Sequence, residues 1–150
     1  MKPQRYRAFR FVHPDAELLG EEQASGAGPG GLELTPRGSI EMVAEDDSVR
    51  QAVLLLLSTR PGERVMRPDY GCDIHSLVFA ANDDTTAGIA KYHVRTALQK
   101  WEPRIDILRL DAQRDPSVLG LLVITLEYQV RTTRALEQLQ VAVNLAGENI

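Results

Sequence analysis

Glu102, Pro103 and Arg104 set an acid and a base two positions apart across a proline, directly after Trp101. Residues i and i+2 of extended chain point the same way. Glu102 and Arg104 would therefore present an acceptor and a forked donor on one side of a backbone that proline stiffens. Such a pair suits docking, because little conformational freedom is left to lose when a polar partner engages both groups. An ordinary helix stop flanked by two solvated charges would use the same three residues. Glu102 and Glu63 are also acids that a glycosidase could use, since that chemistry needs two carboxylates across a cleft, one of them protonated. Both stand beside arginine, whose charge favours the ionised carboxylate that a general acid must not be. Cys72 and His75 make half of a metal site, but the chain has no second cysteine, and His13 and His93 lack ligand spacing. A cysteine–histidine hydrolase would further need a base and an oxyanion site that nothing in the sequence announces. No catalytic residue, metal ligand or cofactor site is expected, and one cysteine excludes an internal disulfide.

These residues need elements to hold them. Asp83 or Asp84 would cap a helix running to about residue 100, with Ala90, Val94, Ala97, Leu98 and Trp101 inward and Lys91, Arg95, Gln99 and Lys100 in water. Upstream, Asp46, Asp47 and Ser48 offer N-cap and first-turn acids for a helix over residues 49–59, which Pro61-Gly62 ends. Val49, Ala52, Val53, Leu56 and Leu57 form its face, and Leu54 and Leu55 make its second half apolar nearly all round, as in a central core helix. Asp73 is expected to cap a short helix with Ile74, Leu77, Val78 and Phe79 facing inward. After Arg104 the period changes from 3.6 to 2. A first strand opposes Ile105, Ile107 and Arg109 to Asp106, Leu108 and Leu110. Asp115-Pro116-Ser117 with Gly120 makes a turn. Residues 121–130 place Leu122, Ile124, Leu126, Tyr128 and Val130 on one face, and their first half is apolar on both faces, which predicts a central strand. A last strand alternates Leu139, Val141, Val143 and Leu145 with Gln138, Gln140, Ala142 and Asn144. The pattern is that of an α+β domain, an antiparallel β meander packed against two main helices.

The chain has 150 residues, of which 43% are hydrophobic, enough for one domain with its own core. Its longest purely apolar run, residues 52–57, falls far short of the roughly 20 residues that cross a bilayer, so no membrane span is expected. No apolar stretch follows the basic first residues, and the expected location is the cytoplasm unless a larger particle carries the protein out. Charge is uneven: Lys2, Arg5, Arg7 and Arg10 meet no acid in the first twelve residues, so a chain of net charge −4 carries −8 over the rest. Tyr6 and Phe9 lie between those arginines, and Phe11 follows the last of them. Stacking on single-stranded nucleic acid would use such letters. So would an edge strand with arginines outside and aromatics inside, or an arm docking on an acidic neighbour, and nucleic acid is not the expected partner. Residues 20–31, with Gly26, Gly28, Gly30 and Gly31 around Pro29, read as a linker, and Ile40, Met42 and Ala44 as a short strand. The expected division is a basic arm and Gly-rich linker over 1–38 and a domain over 39–150.

The run Thr59-Arg60-Pro61-Gly62-Glu63-Arg64-Val65-Met66-Arg67-Pro68-Asp69-Tyr70-Gly71, followed by Glu102-Pro103-Arg104, resembles the baseplate wedge proteins of contractile phage tails. Those proteins are often labelled "lysozyme-like", and their relatives include baseplate subunits of type VI secretion and of extracellular contractile injection systems. The resemblance covers roughly residues 40–145. It implies a structural subunit, not an enzyme, that joins the baseplate to the first sheath ring and templates sheath assembly, with a sheet similar to the linking domain of the sheath subunit. Glu102, Pro103 and Arg104 would dock on a helical bundle of the larger wedge subunits. Leu139, Val141 and Val143 would mark a strand that, at a sheet edge, accepts a sheath strand, while the side chains of Glu102 and Arg104 are expected to be substantially exposed. Pro61, Gly62, Glu63, Arg64, Pro68, Tyr70 and Gly71 would form a signature loop whose charges serve internal ion pairs, external contacts or both. Central spike or tube-proximal proteins are further candidate partners. A peptidoglycan hydrolase carried by the same particle is the alternative function. The chain departs from the family at Arg134-Ala135-Leu136-Glu137-Gln138, where an asparagine-containing ending is usual.

Overall fold

Charged side chains and two helix-breaking pairs divide this chain, and a computed structural model describes the outcome for residues 6–12 and 31–147. The linker expected over 20–31 and the arm's first residues lie mostly outside the described residues. Four two-residue strands come first: β1 (Ala8–Phe9), β2 (Phe11–Val12), β3 (Gly31–Leu32) and β4 (Met42–Val43). β1 pairs antiparallel with β4 and β2 with β3. Arg10, between β1 and β2, meets Glu33 at 2.7 Å and Glu41 at 3.8 Å. The charge expected to seek an acidic neighbour thus has acids within its own chain. Phe9 is 55% exposed, so the aromatics of this segment are not uniformly inside as an edge strand would place them. Val43, not Met42, is the buried residue of β4.

Helix α1 (Glu45–Ser58) starts four residues earlier than its apolar period suggests, and no side chain caps it. Asp46 and Asp47 act instead as first-turn acids against the positive helix end, while Asp46 also accepts from the Thr133 hydroxyl. Val49, Val53, Leu54, Leu56 and Leu57 are buried, so the helix is covered on more than one side, as its composition requires. Gln51 ties the N-terminal segment to it, accepting from the Phe11 N–H and donating to the Phe9 carbonyl.

A 3-10 turn over Asp73–Leu77 buries Ile74 and Leu77. Asp73 is its first residue and makes no cap, and Phe79 is 80% exposed where an inward side chain was expected. The reason is backbone geometry: Phe79 has φ +71° and gives its N–H to the Leu145 carbonyl at 2.6 Å, which turns the side chain out over Gly147.

Helix α2 (Asp84–Trp101) is capped by Asp83, whose carboxylate accepts the Thr86 N–H at 2.8 Å. Ala90, Val94, Ala97 and Leu98 form the buried stripe. The Thr86 bond holds the Asp83 carboxyl below its ordinary pKa, and a depressed acid stabilises only where it is ionised. Asp83→Ala should therefore lower the melting temperature near neutral pH, by about 2–4 °C. The gap to wild type should close as pH falls below the ordinary aspartate value and through the depressed one, which thermal melts of both proteins from pH 7 downward would check.

Three long strands form one antiparallel sheet in the order β5 (Ile105–Arg114), β6 (Leu121–Val130), β7 (Leu136–Asn144). β6 is central, and its residues Leu122, Ile124, Leu126, Tyr128 and Val130 are all buried under the two helices. The β5–β6 register shifts between Ile107 and Arg109. This bulge corrects the expected alternation: Leu110 and Ala112 pair opposite buried Leu126 and Ile124, while Leu108 and Arg109 are both exposed.

Candidate docking site

Proline ends α2, but one more helical bond forms first: the Glu102 N–H still reaches the Leu98 carbonyl at 2.9 Å. Arg104 then joins the sheet, its carbonyl accepting from the Arg131 N–H at 2.9 Å. With both ends fixed, the guanidinium of Arg104 grips the Glu102 carboxylate through two bonds, Nε at 2.5 Å and Nη2 at 2.6 Å. The pair thus faces one way, as i and i+2 geometry requires. Its exposure does not match expectation. Glu102 is only 4% exposed, and the Arg104 side chain 26%. The guanidinium is the more exposed member of the pair. The bond to Glu102 raises the Arg104 pKa, against the opposing effect of burial.

Aromatic rings surround this pair and carry cations. Trp101 meets Tyr70 edge-on with centroids 5.3 Å apart. Arg64 lies 4.3 Å over Tyr70, Lys100 4.8 Å and Arg67 5.9 Å over Trp101, and Arg104 5.2 Å over Tyr6. Each contact is worth about 0.5–1 kcal/mol at an exposed site. Tyr6 also bonds the Thr132 hydroxyl at 2.7 Å, so the described start of the chain, the tripeptide and the β6–β7 turn meet at one end of the sheet. Tyr70 is pushed above its usual pKa, chiefly by burial. Sequence reasoning separated Tyr6 from Arg104, because nothing local links residues 98 positions apart.

The signature loop is held from inside. Glu63 accepts the Arg60 N–H at 2.9 Å, Gly62 donates to the Pro68 carbonyl at 2.6 Å, and Cys72 donates to the Thr59 carbonyl at 2.9 Å. Gly71, with φ +136°, lies where a Cβ would be 2.6 Å from the Thr59 carbonyl oxygen, so the closing of the loop requires glycine. Asp69 pairs with Lys100 at 3.4 Å. Val65 and Met66 at the tip are 94% and 90% exposed. Among the loop's charges, then, Glu63 shapes the backbone while Arg64 and Arg67 lie on the aromatics.

The residues considered for catalysis are not arranged for it. Both Glu102 oxygens are occupied by Arg104, and Glu63 serves the loop backbone. Cys72 is 1% exposed and its thiol is pushed up to about 11 by burial. His75 is shifted down, first by burial and then by Arg60. Among the described residues, no group of three or more histidine, cysteine, aspartate or glutamate side chains could hold a metal ion. At pH 8 about one Cys72 thiol in a thousand would be thiolate. Iodoacetamide should therefore label Cys72 only as the protein unfolds, and mass spectrometry of native and urea-treated samples would check this. Labelling at equal rates in both would contradict the burial.

Leu139, Val141 and Val143, expected at a strand-accepting surface, are 1%, 5% and 8% exposed and point into the core. A strand added beside them would therefore meet the β7 backbone and not these side chains. β7 itself is the edge of the sheet, and among the described residues no strand pairs with its outer side. The groups available there belong to alternate residues.

Residues 43–135 match the family model of the baseplate wedge protein gp25. A stretch of 64 residues, 43% of the chain, is 31% identical to the baseplate wedge protein gp25 of Enterobacteria phage T4. That stretch spans 48% of the phage protein, about half its length. A crystal structure from Geobacter sulfurreducens, provisionally named a tail lysozyme, aligns with a TM-score of 0.63 and 38% identity over 69% of this chain and 94% of that one. The baseplate of the anti-feeding prophage contains a chain of the same fold, with a TM-score of 0.55 and 21% identity over 79% of this chain and 82% of that one. The match over residues 43–135 takes in the signature loop, both helices and the Glu102-Pro103-Arg104 tripeptide, and the chain therefore belongs to the baseplate wedge protein gp25 family.

Proposed function

We propose that this chain is a non-enzymatic structural subunit of a contractile injection machine, built into the baseplate through the Glu102–Arg104 end of its sheet. The observation that carries the reading is the doubly bonded pair of a buried carboxylate and a partly exposed guanidinium, fixed by a helix end on one side and a strand on the other. A guanidinium already held in position loses little freedom when it binds a second partner. Its partners are other baseplate subunits, with sheath subunits of the first ring meeting the β7 edge and spike or tube-proximal proteins as neighbours. No helix among the described residues is long and apolar enough to cross a membrane, in keeping with a component of a particle. The domain over 39–150 would carry these contacts, with residues 1–38 as an arm.

Incorporation tests the docking reading: Arg104→Ala protein should be absent from baseplates isolated from cells that make it, and wild-type stoichiometry would reject the role. The name given to the Geobacter relative favours one other reading, a hydrolase of peptidoglycan. The closed ion pair argues against it, since both Glu102 oxygens already accept from Arg104. Purified protein should leave the turbidity of a peptidoglycan suspension unchanged. Clearing that Glu102→Gln abolishes would establish the hydrolase instead.

A further inference from the structure

Beside the tripeptide, between the C-terminal half of α2 and the bulged part of β5, lies an open groove of about 570 Å³. Glu102 and Pro103 form one wall, and Arg95, Leu108, Arg109 and Arg131 also line it. Its acids are already engaged: Glu102 by Arg104, and Asp106 by Arg131 at 2.7 Å. Its cations are not all balanced. Among the described residues, neither Arg95 nor Arg109 has a carboxylate within ion-pair distance. Asp111, which senses the charge of Arg109, is held by Gln113, the Ala112 N–H and Lys91. The bulge does a second thing. In a regular strand Leu108 and Arg109 would point to opposite faces, but here both are exposed, Leu108 at 56%.

We propose that this groove receives an acidic segment of a neighbouring protein subunit, with an apolar side chain on Leu108 and flanking carboxylates on Arg95 and Arg109. The inference rests on the docking reading above and extends its contact surface past the tripeptide. Charge complementarity selects the occupant: two arginines with no ion pair among the described residues line the groove with an apolar contact. A nucleic acid would gain nothing from Leu108 and would meet a chain of net charge −4.

Leu108 replaced by a photo-reactive benzoylphenylalanine tests the chemistry in assembled baseplates. After irradiation, mass spectrometry should identify a crosslinked peptide of another baseplate subunit with acidic residues on both sides of the attachment point. A nucleic-acid adduct, a basic or neutral peptide, or no adduct in a particle that contains the variant would overturn the proposal. The double variant Arg95→Glu, Arg109→Glu should melt as wild type does and enter baseplates about tenfold less or worse. Normal incorporation of that variant, beside failure of Glu102→Ala with Arg104→Ala, would reject the groove and leave the docking reading intact. Failure of the groove variant alone would retain the groove and reject the tripeptide.

Discussion

Arg104→Ala should destabilise the isolated protein by about 3 kcal/mol, more than Glu102→Ala does, because it strands a carboxylate that is 4% exposed. Glu102→Ala removes the buried charge and leaves a guanidinium that is 26% exposed and can turn to water, at a cost of about 1–2 kcal/mol. The double variant should cost less than the two single values added, by roughly 1–3 kcal/mol, the sign of a direct interaction. In a chain of this size each kcal/mol moves the melting temperature by about 2–4 °C, so Arg104→Ala should melt about 10 °C low. Raising salt should change little, since the bonded oxygens are shielded from solvent. The order of the variants is what matters. If Arg104→Ala melts within a degree of wild type, the pair contributes nothing to the fold, and the closed geometry at the end of α2 is wrong. The sequence alone predicts the opposite, a double variant of unchanged stability, because it reads both side chains as exposed.

That difference shows where sequence reasoning stops. Helix α2 is legible because its signals are local: Asp83 at the cap, a period of 3.6 in Ala90, Val94, Ala97 and Leu98, and Pro103 after the end. β6 is equally plain, since Leu122, Ile124, Leu126, Tyr128 and Val130 keep one face apolar throughout and a first half apolar on both faces belongs in the middle. The bulge at Ile107–Arg109 is invisible because either phase of β5 buries apolar residues, and only pairing with β6 decides between them. Phe79 misleads for a related reason: its φ of +71° is imposed by the bond to Leu145, 66 positions away, and no aromatic residue suggests that conformation locally. Glu102 combines both effects. Its helix-end position is written in Pro103, while its burial depends on Arg104 turning back over it and on Tyr6 stacking above. The tripeptide is therefore legible in its letters, and its closed state is not.

If β7 meets the first sheath ring as proposed, Ala142→Pro should leave the protein folded and stop the sheath from starting, whereas Val141→Pro should destabilise the fold itself. The argument is one of parity. The Leu145 N–H bonds the Gly120 carbonyl, and the Val130 N–H bonds the Ala135 carbonyl. Hydrogen-bonded pairs alternate along an antiparallel ladder, so Leu139, Val141 and Val143 direct their N–H and C=O groups to Leu126, Ile124 and Leu122 on β6. Gln138, Gln140 and Ala142 direct theirs outward, and Arg50 already donates to the outward Gln138 carbonyl at 3.2 Å. Proline at 141 would delete an inner ladder bond and replace a side chain that is 5% exposed, for about 3 kcal/mol or more. At 142 the lost donor is an outward one, and proline is tolerated there as on other edge strands. The outer edge carries no proline and no charge from 138 to 145, so nothing in its composition opposes strand addition. Baseplates containing Ala142→Pro should assemble, since the Glu102 end lies at the far end of β6 from the β5–β6 turn and is untouched. Electron microscopy of such particles should show baseplates without sheath. Sheath growth at the wild-type frequency would mean that the first sheath strands add elsewhere, and β7 would then be an edge left open for no partner.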